Sequence, residues 1–155
     1  MKHYEEIEIG VEAHLGSHTF TADEIKKFAA KYDPQPFHMD EEAAARSQFG
    51  ALCASGWHTA AIWMQLMIEY RKRLLAEDPT QNSDHMGPSP GFQNMKWTKP
   101  VFVGDTITYS TKPIAKELAP KRPGWGFVTS ENAGVNQHGE RIFEFTSRVL
   151  VGCLK

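Results

Sequence analysis

Ala54-Ser55-Gly56-Trp57-His58-Thr59-Ala60-Ala61-Ile62-Trp63-Met64-Gln65-Leu66-Met67-Ile68 is the stretch on which the fold turns. Between Ala60 and Ile68 only Gln65 is polar. A helix with apolar residues on every side is expected to be buried all round. Charge returns at Glu69-Tyr70-Arg71-Lys72-Arg73, so the deep end is expected at Gly56 and the solvent end near Leu75. The apolar run is too short, and too polar at its end, for a membrane span.

Upstream, Thr21 and Glu24 form a capping box, with Phe20 placed to staple against Ile25. Ile25, Phe28, Ala29 and Tyr32 recur at helical spacing and give one apolar face. That helix stops at Asp33, because the next residue is proline. In Asp33-Pro34-Gln35-Pro36-Phe37-His38 the prolines stiffen the turn, so a carboxylate and an imidazole are presented together at little entropic cost. Asp40 is expected to cap a second short helix over Glu41 to Ala45, ended by Ser47-Gln48-Phe49-Gly50.

Downstream the pattern changes. A loop rich in Pro, Gly, Ser and Asn from about Asp78 to Gly91 gives way to alternating sequence. Ile107 and Tyr109 alternate with Thr106, Thr108 and Ser110, Trp125 and Phe127 alternate with glycines, and Phe143, Phe145, Val149 and Val151 share a face. Turns are expected at Val103-Gly104-Asp105, Arg122-Pro123-Gly124 and Gln137-His138-Gly139-Glu140. Strands with no helix between them pair antiparallel. The chain is therefore expected to be one α+β domain over residues 1–155, a hot-dog fold in which a curved antiparallel sheet wraps a central buried helix. An early strand is expected near Glu6 to Ile9 or His18 to Phe20.

A net charge of -2 argues against nucleic acid as the main partner. Arg71-Lys72-Arg73 and Lys121-Arg122 read as a solvated helix end and a solvated turn, although either could meet a phosphate. Cys53 and Cys153 form neither a disulfide framework nor a zinc pattern, and no apolar leader opens the sequence, so the expected compartment is the cytoplasm. His38, Asp40 and His58 match no established metal spacing, so no metal is expected. His58 is read as a first-turn helix residue rather than a proton carrier. Asp33 and His38 suit an acid/base pair.

Tyr32-Asp33-Pro34-Gln35-Pro36-Phe37-His38-Met39-Asp40, followed by Phe49-Gly50-Ala51-Leu52-Cys53-Ala54-Ser55-Gly56, resembles the MaoC-like dehydratase family, which includes R-specific enoyl-CoA hydratases. Lys99-Pro100-Val101-Phe102-Val103-Gly104-Asp105 and the Asn136 to Glu140 turn resemble its sheet. Where the family usually has Asn this chain has Gln35, and where a His often precedes the glycine it has Ser55.

The resemblance implies reversible addition of water across the C2=C3 bond of an enoyl thioester, most plausibly of coenzyme A, with no cofactor beyond the coenzyme A carried by the substrate. It makes Asp33 and His38 the catalytic pair. His38 would take the proton from water while Asp33, as the acid, protonates C2. Gln35 and Pro36 support the turn, and Gly56 with Ser55 docks the thioester oxygen at the start of the long helix. A glycine there would equally serve plain helix packing. A homodimer or higher homo-oligomer is implied, with no membrane partner. A hot-dog thioesterase is the first alternative; it needs a carboxylate on the central helix, where Glu69 is the one candidate. A non-catalytic acyl-thioester binding protein is the second.

Overall fold

The computed structural model describes residues 1–78 and 82–154, so the part of the expected loop at residues 79–81 lies outside the described residues. A 3-10 turn at Tyr4–Glu6 precedes β1 (Ala13–Thr19), α1 (Ala22–Tyr32), α2 (Pro36–Met39), α3 (Glu41–Ala45) and α4 (Gly56–Glu77). β2 (Gly91–Trp97), β3 (Thr106–Leu118), β4 (Trp125–Val135) and β5 (Arg141–Gly152) follow. The strands form one antiparallel sheet in the order β1-β3-β4-β5-β2, curled over α4 in the hot-dog arrangement.

Local signals explain the helices before α4. Thr21 caps α1 by accepting the Glu24 amide, and Asp40 caps α3 by accepting the Ala43 amide at 2.8 Å. Ile25 and Ala29 are fully buried, whereas Tyr32 leaves the predicted apolar face and is 61% exposed. The turn between α1 and α3 is tighter than expected: Pro36 opens a one-turn helix, α2, at the position where proline is best tolerated.

The early strand runs over Ala13–Thr19, overlapping the second expected position, His18 to Phe20, at its end and missing the first, Glu6 to Ile9. Its ladder to β3 is irregular between His14 and Gly16. Gly16 has φ +139, a backbone conformation that residues with a side chain rarely adopt, and this lets the strand bend beside Leu66 of α4. Leu15, Phe20, Ile107, Tyr109 and Phe143 have no exposed surface and form one core with Ile62, Trp63, Leu66 and Met67 of α4.

α4 departs from the expectation of burial all round. Trp57 is 55% exposed, Met64 52% and Ile68 40%, and Ala61 is exposed beside them. These four residues make an apolar stripe at helical spacing, because the sheet wraps only the opposite side of the helix. Phe92 and Trp97 on the edge strand β2 are also exposed, and a groove of about 680 Å³ lies between the two elements. No helix among the described residues is long and apolar enough to cross a membrane.

Candidate active site

The chain brings Asp33, His38 and Gly56 to one cleft of about 460 Å³, which Gln35 and Trp97 also line. Each arrives by a separate route. Asp33 is the C-cap of α1, held by its amide on the Ala29 carbonyl at 2.9 Å. His38 sits in α2, anchored from the far side by the chain that leads into α4. Gly56 is the first residue of α4, and Ser55 is its N-cap.

His38 is 6% exposed, and its Nδ1 lies 2.7 Å from the Cys53 carbonyl oxygen. A carbonyl only accepts, so Nδ1 carries the hydrogen and Nε2 is the atom free to exchange a proton. Nε2 points at Asp33, 3.5 Å from Oδ2. A water seated beside this short gap could hydrogen-bond to both atoms at once.

Asp33 is surrounded by donors. The Ser55 hydroxyl donates to Oδ2 at 2.6 Å and the Gln35 amide donates to Oδ1 at 2.8 Å. Burial raises the Asp33 pKa, but these two hydrogen bonds and the His38 ring outweigh it and hold the group below the usual carboxylate value. The carboxylate form is thus the resting form. This reverses the proton state the sequence suggested for Asp33, because both neighbouring side chains donate to it and so stabilise the anion.

At Gly56 the helix start does two things. The Ser55 Oγ accepts the Trp57 amide at 3.3 Å, while no hydrogen bond occupies the Gly56 amide among the described residues. The Gly56 carbonyl accepts the Trp97 indole N–H at 2.8 Å and the Thr59 hydroxyl at 2.6 Å. A Cβ at position 56 would lie 2.6 Å from Trp97 Cε2, so the indole occupies the space that glycine leaves. The packing role and an open amide coexist at this residue.

Of the other predicted residues, Ser55 is 1% exposed and works from behind Asp33, and Pro36 begins α2 without lining the cleft. His58 lies elsewhere: it is 5% exposed, stacked on Phe28 at 4.6 Å, with Nε2 3.9 Å from Glu24. Burial pushes its pKa down to about 4, so it is neutral near pH 7. Asp40 spends its carboxylate on the α3 cap. Glu69 is exposed on α4 and pairs with Gln65 at 2.9 Å, away from the cleft. Trp97 and the Cys53 carbonyl escaped the sequence reading. Trp97 stands two residues before the Lys99-Pro100-Val101 element, which was the nearest available signal.

A model of the MaoC like domain matches residues 7–121. YdeM, an uncharacterized protein of Bacillus subtilis, is 31% identical over 129 residues, covering 83% of this chain and 84% of YdeM. The crystal structure of a MaoC-like dehydratase from Rhodospirillum rubrum shares 34% identity and superposes with a TM-score of 0.84, covering 100% of this chain and 99% of that one. An (R)-hydratase from A. caviae involved in PHA biosynthesis is 25% identical with a TM-score of 0.65, over 94% of this chain and 97% of its own.

Proposed function

Because the chain belongs to the MaoC-like domain family, we propose that its cleft adds water reversibly across the C2=C3 double bond of an enoyl thioester, giving a 3-hydroxyacyl thioester. The observation that carries this reading is the facing pair, Asp33 Oδ2 and His38 Nε2, 3.5 Å apart in a cleft that also contains the Gly56 amide. Water is a poor nucleophile at neutral pH, and the charge reaching C2 is tolerable only when the thioester oxygen is stabilised as an enolate.

In this reading Asp33, already ionised, takes a proton from the bound water as its oxygen attacks C3. In the reactive form His38, with Nδ1–H on the Cys53 carbonyl, also carries a proton on Nε2 and gives it to C2. The two groups then exchange a proton, which restores the starting state. Dehydration runs the same steps backwards, with Asp33 protonating the departing hydroxyl. The Gly56 amide and the positive end of α4 receive the enolate oxygen. Ser55 and Gln35 keep Asp33 ionised and aimed. No cofactor is needed beyond the coenzyme A of the substrate.

A second copy of the chain would cover the apolar stripe of Trp57, Ala61, Met64 and Ile68, so we place the working form as a homodimer. Exposed apolar patches of this kind mark association surfaces. The thioesterase alternative is disfavoured by Glu69, whose carboxylate stands on the exposed side of α4.

The test is to supply crotonyl-CoA and follow loss of the enoyl absorbance together with release of free thiol. Hydration without thiol release is expected, and His38→Ala should lower it by roughly a hundredfold or more, the scale for one acid/base group. Thiol release without hydration, or a His38→Ala variant at near-full rate, would overturn the reading.

A further inference from the structure

The segment before β1 is joined to the sheet through two histidines. His3 and His85 stack face to face, with ring centroids 4.0 Å apart and planes inclined by 21°. His85 is 8% exposed. Its Nε2 lies 3.1 Å from the Lys2 carbonyl oxygen, which only accepts, so Nε2 carries the hydrogen and Nδ1 holds a bare lone pair. That Nδ1 is buried with no hydrogen-bond partner among the described residues, and so is Nδ1 of His3.

The stack ties together two pieces of chain laid over the sheet. Around His85 the backbone follows the end of β5, where the Gly152 amide donates to the His85 carbonyl at 2.7 Å and the Gly87 amide to the Leu150 carbonyl at 2.8 Å. The segment carrying His3 crosses β4 at Gly126, where a Cβ would stand 2.3 Å from Tyr4 Cε2. Its other attachments are few. Lys116 donates to the Tyr4 carbonyl at 2.9 Å, the Glu5 carboxylate accepts the Leu154 amide at 2.9 Å, and the Gly10 amide donates to the Pro113 carbonyl at 2.7 Å. Ile7 and Val11 of this segment form one wall of a cavity against Val128 and Val151.

A proton is poorly accommodated in the stack. On His85 it would create a buried N–H with no acceptor and set a cation against a second imidazole. The surrounding charges do not compensate. The amino group of Met1 is positive, Lys2 is paired with Glu8 at 3.1 Å, and Lys116 serves backbone carbonyls. Among the acids, Glu5 accepts the Leu154 amide, Glu6 accepts the His3 amide at 2.6 Å, and Asp84 faces solvent. Burial raises the pKa of the nearby Cys153 thiol, which stays neutral. Burial, and after it His3, lowers the His85 pKa from its ordinary value, against the opposing effect of the Lys2 carbonyl.

We propose that the His3–His85 stack is a proton-operated latch: neutral rings hold the amino-terminal segment against the sheet, and acid parts them and uncovers Val128 and Val151. A released His85 titrates near 6.5 and the stacked ring lower, so the attachment is complete above about pH 6.5 and weakens as pH falls below it. The latch shares no residue with the cleft of Asp33, His38 and Gly56 and does not depend on the hydration chemistry.

Hydrogen exchange on the whole, untagged protein at pH 7.5 and 5.5, corrected for intrinsic rates, tests it. Protection of the Gly10 and Leu154 amides should fall about three- to tenfold at the lower pH, the range open to one imidazole whose pKa is lowered from 6.5. His85→Phe keeps a ring in the stack without a titrating nitrogen, so the fall should vanish. If loss of the bond to the Lys2 carbonyl leaves that variant open at both pH values, His3→Phe decides: it keeps His85 and its bond, removes the facing charge, and should show a smaller fall than the wild type. The fall should persist in His58→Phe, which separates the latch from acid unfolding of the whole chain. Unchanged protection at pH 5.5, an undiminished fall in His85→Phe or His3→Phe, or its loss in His58→Phe would overturn the proposal.

Discussion

Gly56→Ala isolates the contact that joins the helix start to the sheet. Gly56 does not adopt a positive φ, so alanine meets no backbone strain there and in a free helix would gain somewhat under 1 kcal/mol. The new Cβ would instead lie 2.6, 2.7 and 2.8 Å from Trp97 Cε2, Nε1 and Cδ2. Ordinary carbon contacts lie near 3.5 Å or beyond, so the indole must retreat by about 1 Å. That breaks the 2.8 Å bond from Trp97 Nε1 to the Gly56 carbonyl and disturbs the edge contact with Trp57, whose ring centre is 5.2 Å away. Losing the hydrogen bond costs about 1 kcal/mol and losing the aromatic contact about 1 more, so the net destabilisation should be roughly 1–2 kcal/mol. If the amide of residue 56 moves with the carbonyl, hydration should fall by about 10² to 10³. Urea unfolding and the kcat/KM for crotonyl-CoA should be measured for Gly56→Ala, Trp97→Ala and the double variant. Since Trp97→Ala removes the obstacle, the stability cost of Gly56→Ala should shrink in that background by about 0.5–3 kcal/mol. A cost that is the same with and without the indole would refute the steric account.

Ser55→Ala should move the acid limb of the hydration profile to higher pH. Asp33 loses one of the donors that hold its pKa down, so it protonates earlier as pH falls; an unmoved limb would mean that another group sets it. Stability should also depend on His58. Burial, opposed by Glu24 and assisted by His18, lowers its folded pKa from 6.5 to about 4. The unfolded chain therefore binds the extra proton first, and stability that is complete above about pH 6.5 is lost as pH falls toward 4, by roughly 3 kcal/mol. His58→Phe, which cannot titrate, should flatten that slope in urea unfolding measured at pH 7 and 4.5. Sedimentation should show a dimer that Met64→Lys, placed in the centre of the exposed stripe, weakens by at least tenfold in Kd, the effect of burying one unpaired charge.

What the sequence disclosed was local. The Thr21 and Asp40 caps, the stop at Asp33 and the three glycine turns each depend on residues a few positions apart, and the structure has all of them. The long helix was legible as a helix, but its surroundings were not. Trp57, Met64 and Ile68 carry the same apolar signature whether a chain's own sheet or another molecule covers them. Of β1 only the end near His18 was legible, because Ala13-His14-Leu15-Gly16-Ser17-His18-Thr19 has a single large apolar residue, and its pairing with β3 reaches nearly a hundred positions along the chain. The Asp33–His38 pair was visible because its members stand only five positions apart in the sequence. Its protonation was not, since the hydrogen bond from Ser55 to Asp33 spans 22 positions; nor was the Trp97 contact with Gly56, which spans 41.

Cys53 lends its carbonyl to His38, and its sulfur stands 3.7 Å from the same imidazole. A thiol beside an imidazole in an open cleft would ordinarily invite alkylation or attack by peroxide. Here burial leaves it 1% exposed and pushes its pKa up to about 11, so almost none is thiolate at neutral pH. The proposed hydration should therefore survive treatment with iodoacetamide or exposure to air.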